Sequence, residues 1–204
     1  MVDAVTHIEE WSALDSGERT KLFESPAVGG DLDPYPDSKG NYTIGYGQNI
    51  DSYYITGEGG KRFLAPVWKE GGPLSKVMHD NLMVHKSITP AMANELFETE
   101  YSVSTRDIDN RYPGLPPRVK TALIDMRYNM GDAKLRKFTE LDKAIQAGNW
   151  KQAAWEVLNT KLKDGTIRPS KYSQDVGERS LENANFICPQ CTPEDLGRAN
   201  WDGQ

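Results

Sequence analysis

The sequence predicts an α+β fold in which a small β-hairpin lobe and a larger helical lobe are joined by a long helix. Three observations lead to this prediction. Apolar and polar residues alternate over residues 35–50, which is typical of short strands. A helical pattern begins at Thr89–Pro90 and continues to about Arg111. Beyond it, apolar residues recur mostly at helical spacing as far as about residue 186.

The N-terminal part is predicted to hold one helix and then a loop. Residues 5–23 carry apolar side chains at helical spacing, with an interruption at Ser16–Gly17 and a further turn to Phe23. Residues 25–34 are rich in glycine, proline and aspartate, so we expect an irregular loop there.

The β-rich part should follow directly. Residues 35–50 are predicted to form a hairpin or a three-stranded meander, with its turn at Lys39–Gly40–Asn41. Residues 51–88 show little periodicity and several glycines. We therefore expect loops around one or two short helices in that stretch.

The remaining helices follow from caps and periodicity. Thr89 is the expected cap of the long helix because Pro90 takes its first position. Residues 117–130 are apolar on most sides, which predicts a central helix that ends at Gly131. Further helices are expected at Leu135–Ala147, Trp150–Leu162 and Ser173–Phe186.

These elements suggest one domain over residues 1–187, followed by a tail at 188–204. The β-rich lobe would span about 24–88, and the helical lobe about 89–187 together with the N-terminal helix. The tail region contains both cysteines, Cys188 and Cys191. They could form a local disulfide, remain free thiols or supply half of a zinc site; a disulfide is favoured, and no metal or other cofactor is expected.

Bulk composition indicates a soluble globular protein. The 204 residues are 37% hydrophobic and 26% charged, with a net charge of −6. No apolar stretch is long enough to predict a membrane span, and the N-terminus lacks the pattern of a secretory signal. We therefore expect synthesis in the cytoplasm without a signal peptide. Residues 111–179 carry 14 Lys and Arg against 8 Asp and Glu. This local positive charge could form a face that binds an anionic polymer, or it could be the ordinary charge of solvated helices.

Two carboxylates and a hydroxyl near the hairpin are the groups that hydrolysis of a glycosidic bond requires. Glu24 follows Leu22–Phe23 and is the candidate acid, since an apolar site keeps a carboxyl group protonated. Asp37 lies six residues before Thr43, and the pair could hold an attacking water between carboxylate and hydroxyl. Such an arrangement predicts inversion at the anomeric carbon.

Each of these residues also has a plainer structural interpretation. Asp37 is a good turn former, and Thr43 is an ordinary strand residue. Gly45 and Gly47 could let a polymer approach the backbone, or could simply mark a twisted strand.

The chain resembles the phage-type lysozymes, the T-even phage lysozyme-like endolysins and muramidases of glycoside hydrolase family 24. Asp37 to Gly47 matches their Asp, five residues, Thr-Ile-Gly-x-Gly signature. Ile124 to Gly131 resembles their buried helix, Ala147 to Ala154 their helix pair, and Ser87 to Phe97 their interlobe helix. The resemblance covers roughly residues 15–187.

The resemblance implies a lysozyme-like fold and an N-acetylmuramidase that hydrolyses the MurNAc–GlcNAc bond of peptidoglycan and lyses bacteria. It implies Glu24, Asp37 and Thr43 as catalytic residues. Glu24 lies thirteen residues before Asp37 rather than the usual nine, which requires an insertion. The resemblance further implies that Gly45, Gly47, Tyr128, Asn129 and Arg179 contact the substrate. It also implies that Arg179 pairs with the catalytic glutamate.

Alternatives to this assignment remain. A lytic transglycosylase would use the acid without the water-holding pair, and the displaced glutamate favours a non-catalytic peptidoglycan-binding module. Bacterial peptidoglycan is the expected partner, in the periplasm, with no nucleic acid and no membrane span. Delivery by a holin or by a secretion apparatus, an immunity protein and a monomeric state are further expectations. Residues 52–86 form a longer stretch than in compact members and could reshape the cleft rim.

Overall fold

The structure, a computed structural model, describes residues 16–24, 30–37 and 39–197. The chain divides into two compact units, Met1–Glu100 and Tyr101–Gln204. The boundary between them falls inside the longest described helix. Both units combine helices with short antiparallel strands, so the predicted α+β class is confirmed.

The first unit contains a small sheet, a separate hairpin and helices. In chain order these are α1 (Ser16–Glu24), β1 (Asp31–Pro36), β2 (Tyr42–Gly45), β3 (Gln48–Asn49), β4 (Tyr54–Thr56), β5 (Arg62–Leu64), α2 (Lys76–His85) and the start of α3 (Pro90–Arg111). Strands β1, β2 and β3 form an antiparallel meander in that order, which confirms the prediction for this region. The predicted helical residues 5–15 lie outside the described residues, and the expected further turn to Phe23 is present in α1.

Two predictions for this unit were wrong. Residues 31–34, expected in a loop, belong to β1. Pro34 and Pro36 are tolerated because β1 is at the sheet edge and its pairing is irregular between Asp31 and Tyr35. The stretch from residue 51, expected to hold loops and helices alone, contains the β4–β5 hairpin. Its three-residue strands are too short to show an alternation of apolar and polar residues.

The cap of α3 is as predicted. The backbone N–H of Met92 donates to Oγ1 of Thr89 at 3.2 Å, and Pro90 is the first helical residue. Apolar residues from β2, from helices α2 and α3 and from the segments that connect the elements are buried in this unit: Ile44, Ile50, Tyr53, Leu74, Met78, Leu82, Ala93, Leu96 and Phe97.

The second unit is mostly helical. After the end of α3 it contains α4 (Pro117–Met130), α5 (Asp132–Leu135), α6 (Thr139–Gln146), α7 (Trp150–Leu158), β6 (Asn159–Lys161), β7 (Ile167–Pro169), α8 (Lys171–Val176) and α9 (Glu178–Ile187). Helix α4 supplies much of the apolar core and ends at Gly131, as predicted. Helix α9 packs against both α4 and α7.

The other predicted helices of this unit are shorter than expected. The helix expected at Leu135–Ala147 begins at Thr139 as α6, and Leu135 is instead the last residue of the preceding single turn, α5. The helix expected to reach Leu162 ends at Leu158, where the chain enters the β6–β7 hairpin. The helix expected at Ser173–Phe186 is divided into α8 and α9 at Gly177, whose φ of 54° is left-handed.

The tail is fastened to the second unit as far as residue 197. Cys188 and Cys191 form the local disulfide that the sequence favoured, and Cys188 belongs to the apolar core. Asn159 donates from Nδ2 to the carbonyl oxygen of Leu196 at 2.9 Å, and Leu196 is buried. Among the described residues, no helix is both long and apolar enough to cross a membrane.

Candidate active site

Asp37 closes the turn between β1 and β2. Its Oδ1 accepts hydrogen bonds from the backbone N–H groups of Lys39 and Asn41, each at 2.8 Å, and Oδ2 accepts one from Asn41 Nδ2 at 3.1 Å. These donors, the Asn41 side chain foremost, hold the pKa of Asp37 below its usual value. The group is therefore an ionised carboxylate at neutral pH, suited to accept hydrogen bonds from water and unsuited to donate a proton. It also forms the turn, as the plainer interpretation predicted.

Thr43 is buried in β2, directly opposite Tyr35 in the β1–β2 register. Its Oγ1 donates to the Tyr35 carbonyl oxygen at 3.2 Å. Because the hydroxyl proton is used there, the oxygen has only lone pairs left to offer. Asp37 follows directly after the last residue of β1, at the start of the turn that leads into β2, so the proposed water-holding pair belongs to one hairpin.

Glu24 is the last residue of α1 and is half-buried. A Cβ on Gly47 would lie 2.6 Å from Oε2 of Glu24, so the carboxylate packs directly onto the backbone of that glycine. Gly47 follows the end of β2, and its φ of 77° also requires glycine. The structure thus brings Glu24 to the hairpin that carries Asp37 and Thr43. Of the apolar pair before it, Leu22 is 48% exposed and provides little shielding.

Gly45 is buried against backbone and an alanine. A Cβ on Gly30 would lie 2.8 Å from the Gly45 carbonyl group, and a Cβ on Gly45 would lie 3.5 Å from that of Ala93. These contacts give Gly45 a packing role, as the contact with Glu24 does for Gly47. Contact of both glycines with substrate stays a prediction.

The remaining predicted residues belong to the second unit. Tyr128 is half-buried near the end of α4, with its ring centroid 6.4 Å from that of Tyr101, and Asn129 beside it is exposed. Arg179 on α9 is buried and forms a bidentate pair with Asp125 on α4, from Nε to Oδ2 and from Nη2 to Oδ1, both at 2.9 Å. This pair gives Arg179 a structural role that the sequence did not suggest. Substrate contact by the three residues stays a prediction.

Comparison with known proteins identifies the family. The sequence model described as phage lysozyme matches residues 27–169. The chain is 30% identical over 172 residues to "Probable T4-type lysozyme 2" of Dictyostelium discoideum, covering 81% of this chain and 90% of that protein. It is 30% identical over 189 residues to "Probable T4-type lysozyme 1" of the same organism, covering 88% and 98%. The chain belongs to the phage lysozyme family.

This lysozyme is accordingly a glycoside hydrolase that degrades peptidoglycan, as the resemblance of its sequence implied. The family match contains Asp37 and Thr43 but begins three residues after Glu24. The assignment of Glu24 therefore depends on its contact with the hairpin.

Sequence reasoning missed two groups that hold the lysozyme's hairpin residues in place. Asn41 fixes both carboxylate oxygens of Asp37, and an asparagine across a Lys-Gly turn from an aspartate was a usable signal for it. The Tyr35 carbonyl orients Thr43, which could be deduced only from the strand register. Within the described part of the chain, no group of His, Cys, Asp and Glu side chains is arranged to hold a metal ion.

Proposed function

We propose that the lysozyme hydrolyses the MurNAc–GlcNAc bond with inversion of configuration. Glu24 protonates the leaving oxygen as the glycosidic bond breaks, and the oxygen of the attacking water forms the new bond to the anomeric carbon. Asp37 accepts the proton that this water loses, while Thr43 accepts a hydrogen bond from its other hydrogen. The two proposed water ligands are both hydrogen-bond acceptors, since Asp37 is ionised and the Thr43 proton is donated to Tyr35. A water whose two protons are both accepted has its lone pairs free for attack, and this is the observation that carries the proposal.

The anchoring of Asp37 favours a water over direct attack by the carboxylate. Both of its oxygens accept hydrogen bonds from the turn, so an advance onto an anomeric carbon would break bonds that keep the hairpin tip closed. A carboxylate that stays in place and orients a water is the arrangement of an inverting enzyme.

The role of Glu24 is supported by its packing onto Gly47, which puts a second carboxyl group at the same hairpin. Substrate contacts by Gly45 and Gly47 of the hairpin, and by Tyr128, Asn129 and Arg179 of the second unit, are proposed from the resemblance of the sequence to the family. We further propose that the lysozyme acts on the cell wall in the periplasm and reaches it through a holin or a secretion apparatus.

Conservative substitutions test these roles. Glu24→Gln and Asp37→Asn should each lower kcat by about 10²–10⁴-fold while binding to purified cell walls persists. Thr43→Ala should lower kcat, and Thr43→Ser should restore much of it. Asp33→Asn is the matched control, because Asp33 is an exposed carboxylate on β1 close to Asp37 in sequence.

The products distinguish the mechanisms. Hydrolysis with inversion gives new reducing ends that first appear in the anomeric configuration opposite to that of the cleaved bond, which NMR can follow before mutarotation. Anhydro ends alone would establish a lytic transglycosylase. Full activity of Asp37→Asn, or wall binding by the wild-type protein without any cleavage, would refute the proposal.

A further inference from the structure

We propose that Arg62, on β5 of the second hairpin of the first unit, is a positioning residue for the hydrolytic reaction. Arg62 is not part of the turn that carries Asp37, but its side chain stabilises that turn. This inference rests on the proposed function, in which Asp37 and Thr43 hold the attacking water.

Arg62 contacts the turn directly. Its Nη1 donates to the Gly40 carbonyl oxygen at 3.3 Å and forms an ion pair with Oδ1 of Asp51 at 2.7 Å. The N–H of Gly40 in turn donates to the Asp37 carbonyl oxygen at 2.9 Å. A displacement of the guanidinium would therefore be transmitted to the Asp37 backbone through a single residue, Gly40.

The partner of Arg62 holds the other side of the same turn. Oδ1 of Asp51 accepts a hydrogen bond from the backbone N–H of Tyr42 at 3.0 Å. Tyr42 stands between Asn41, which binds the Asp37 carboxylate, and Thr43. The Arg62–Asp51 pair thus contacts the hairpin at Gly40 and at Tyr42, which are the residues on either side of Asn41. The guanidinium also holds the pKa of Asp51 below its usual value, so the pair stays charged.

Aromatic packing fixes the second hairpin against the first. The rings of Tyr42 and Tyr54 stack with centroids 3.8 Å apart and an interplanar angle of 5°. The Arg62 guanidinium carbon lies 5.4 Å from the centroid of the Tyr42 ring. Burial raises the pKa of Tyr54 to about 12, so its phenol stays neutral and introduces no charge beside Arg62. The β4–β5 hairpin, which contributes both Tyr54 and Arg62, serves as a brace.

A brace of this kind matters because a water held by two acceptors tolerates little displacement. A shift of about 1 Å in a reacting group can reduce a rate by about 10²-fold, and a partial loosening should reduce it less. Substrate affinity should change little, since neither Arg62 nor Asp51 is a proposed substrate contact.

The test compares Arg62→Ala and Asp51→Asn with Lys61→Ala, a neighbouring exposed cation on the same hairpin. Asp51→Asn keeps an acceptor for the Tyr42 N–H while it removes the ion pair. We expect kcat to fall about tenfold for Arg62→Ala and less for Asp51→Asn, with KM within about twofold of wild type. Arg62→Lys should recover part of the loss, and Lys61→Ala should match wild type.

The pH profile separates positioning from simple stabilisation. A looser turn weakens the donors from Asn41 and lets the pKa of Asp37 rise, so the acidic limb of kcat/KM should move to higher pH in Arg62→Ala. A lower melting temperature with an unchanged kcat and an unchanged acidic limb, in both Arg62→Ala and Asp51→Asn, would overturn the inference. Wild-type activity in Asp37→Asn would instead overturn the proposed function, so the two failures are distinguishable.

Discussion

Removing the Asp125 carboxylate should destabilise the second unit strongly. Asp125 is 0% exposed and Arg179 is 6% exposed, and two hydrogen bonds of 2.9 Å join them. Deleting one partner of a buried ion pair costs about 3–5 kcal/mol, because the other charge is left buried. Asn183, which donates to Asp125 at 2.7 Å, also loses its acceptor, adding about 1 kcal/mol.

The expected change is large enough for a simple assay. At about 2–4 °C per kcal/mol for a chain of this size, Asp125→Ala should lower the melting temperature by roughly 10–20 °C. The double variant Asp125→Leu/Arg179→Met replaces both charges by apolar groups and should recover most of the loss. Circular dichroism on heating, together with urea denaturation, measures both effects.

Two results would refute this reasoning. One is a loss below about 1 kcal/mol in Asp125→Ala, which would mean that water or rearrangement solvates the stranded guanidinium. The other is a double variant no more stable than the single one. The double variant also tests Arg179 itself: if it is stable and cleaves cell walls at the wild-type rate, the guanidinium serves the fold and makes no contact that the reaction needs.

Three further predictions concern single contacts. Asn41→Ala removes the largest cause of the low pKa of Asp37, so the acidic limb of kcat/KM should move to higher pH; a profile equal to wild type would contradict it. Gly47→Ala should reduce the rate of wall lysis more than wall binding, because a left-handed φ costs about 1–2 kcal/mol and the new Cβ meets a carboxylate oxygen at 2.6 Å. Cys191→Ser opens a four-residue loop and should lower the free energy of unfolding by about 2 kcal/mol; dithiothreitol should then lower the melting temperature of wild type but not of the variant.

The features that the sequence predicted well are those set by near neighbours. The turn at Asp37, the Thr89 cap, the end of α4 at Gly131 and the disulfide from Cys188 each depend on residues within about four positions. Such features are governed by backbone conformation and short hydrogen bonds, which residue type alone strongly constrains.

The features that the sequence missed depend on distant partners or on strands too short to be periodic. Arg179 and Asp125 are 54 residues apart, and nothing local to either residue indicates the pairing. The β4–β5 and β6–β7 hairpins have three residues in each strand, so alternation could not be recognised. Proline in a strand was misleading in β1, because the edge position that permits it is a property of the finished sheet.

Asp37 and Asp125 show why family resemblance must be examined one residue at a time. Both are aspartates within stretches that resemble the phage lysozymes, yet their surroundings differ, and the roles that we propose for them are opposite. Asp125 is inaccessible to solvent and its oxygens are used by Arg179 and Asn183, so it can neither bind water nor reach a sugar. Asp37 is held by comparable numbers of hydrogen bonds but stays partly exposed, so its ionised oxygens remain accessible to a water molecule. The proposed hydrolytic carboxylate therefore differs from the structural one in its exposure and not in the strength of its anchoring. Firm anchoring suits Asp37 to the proposed role, because it would hold a bound water in a fixed position.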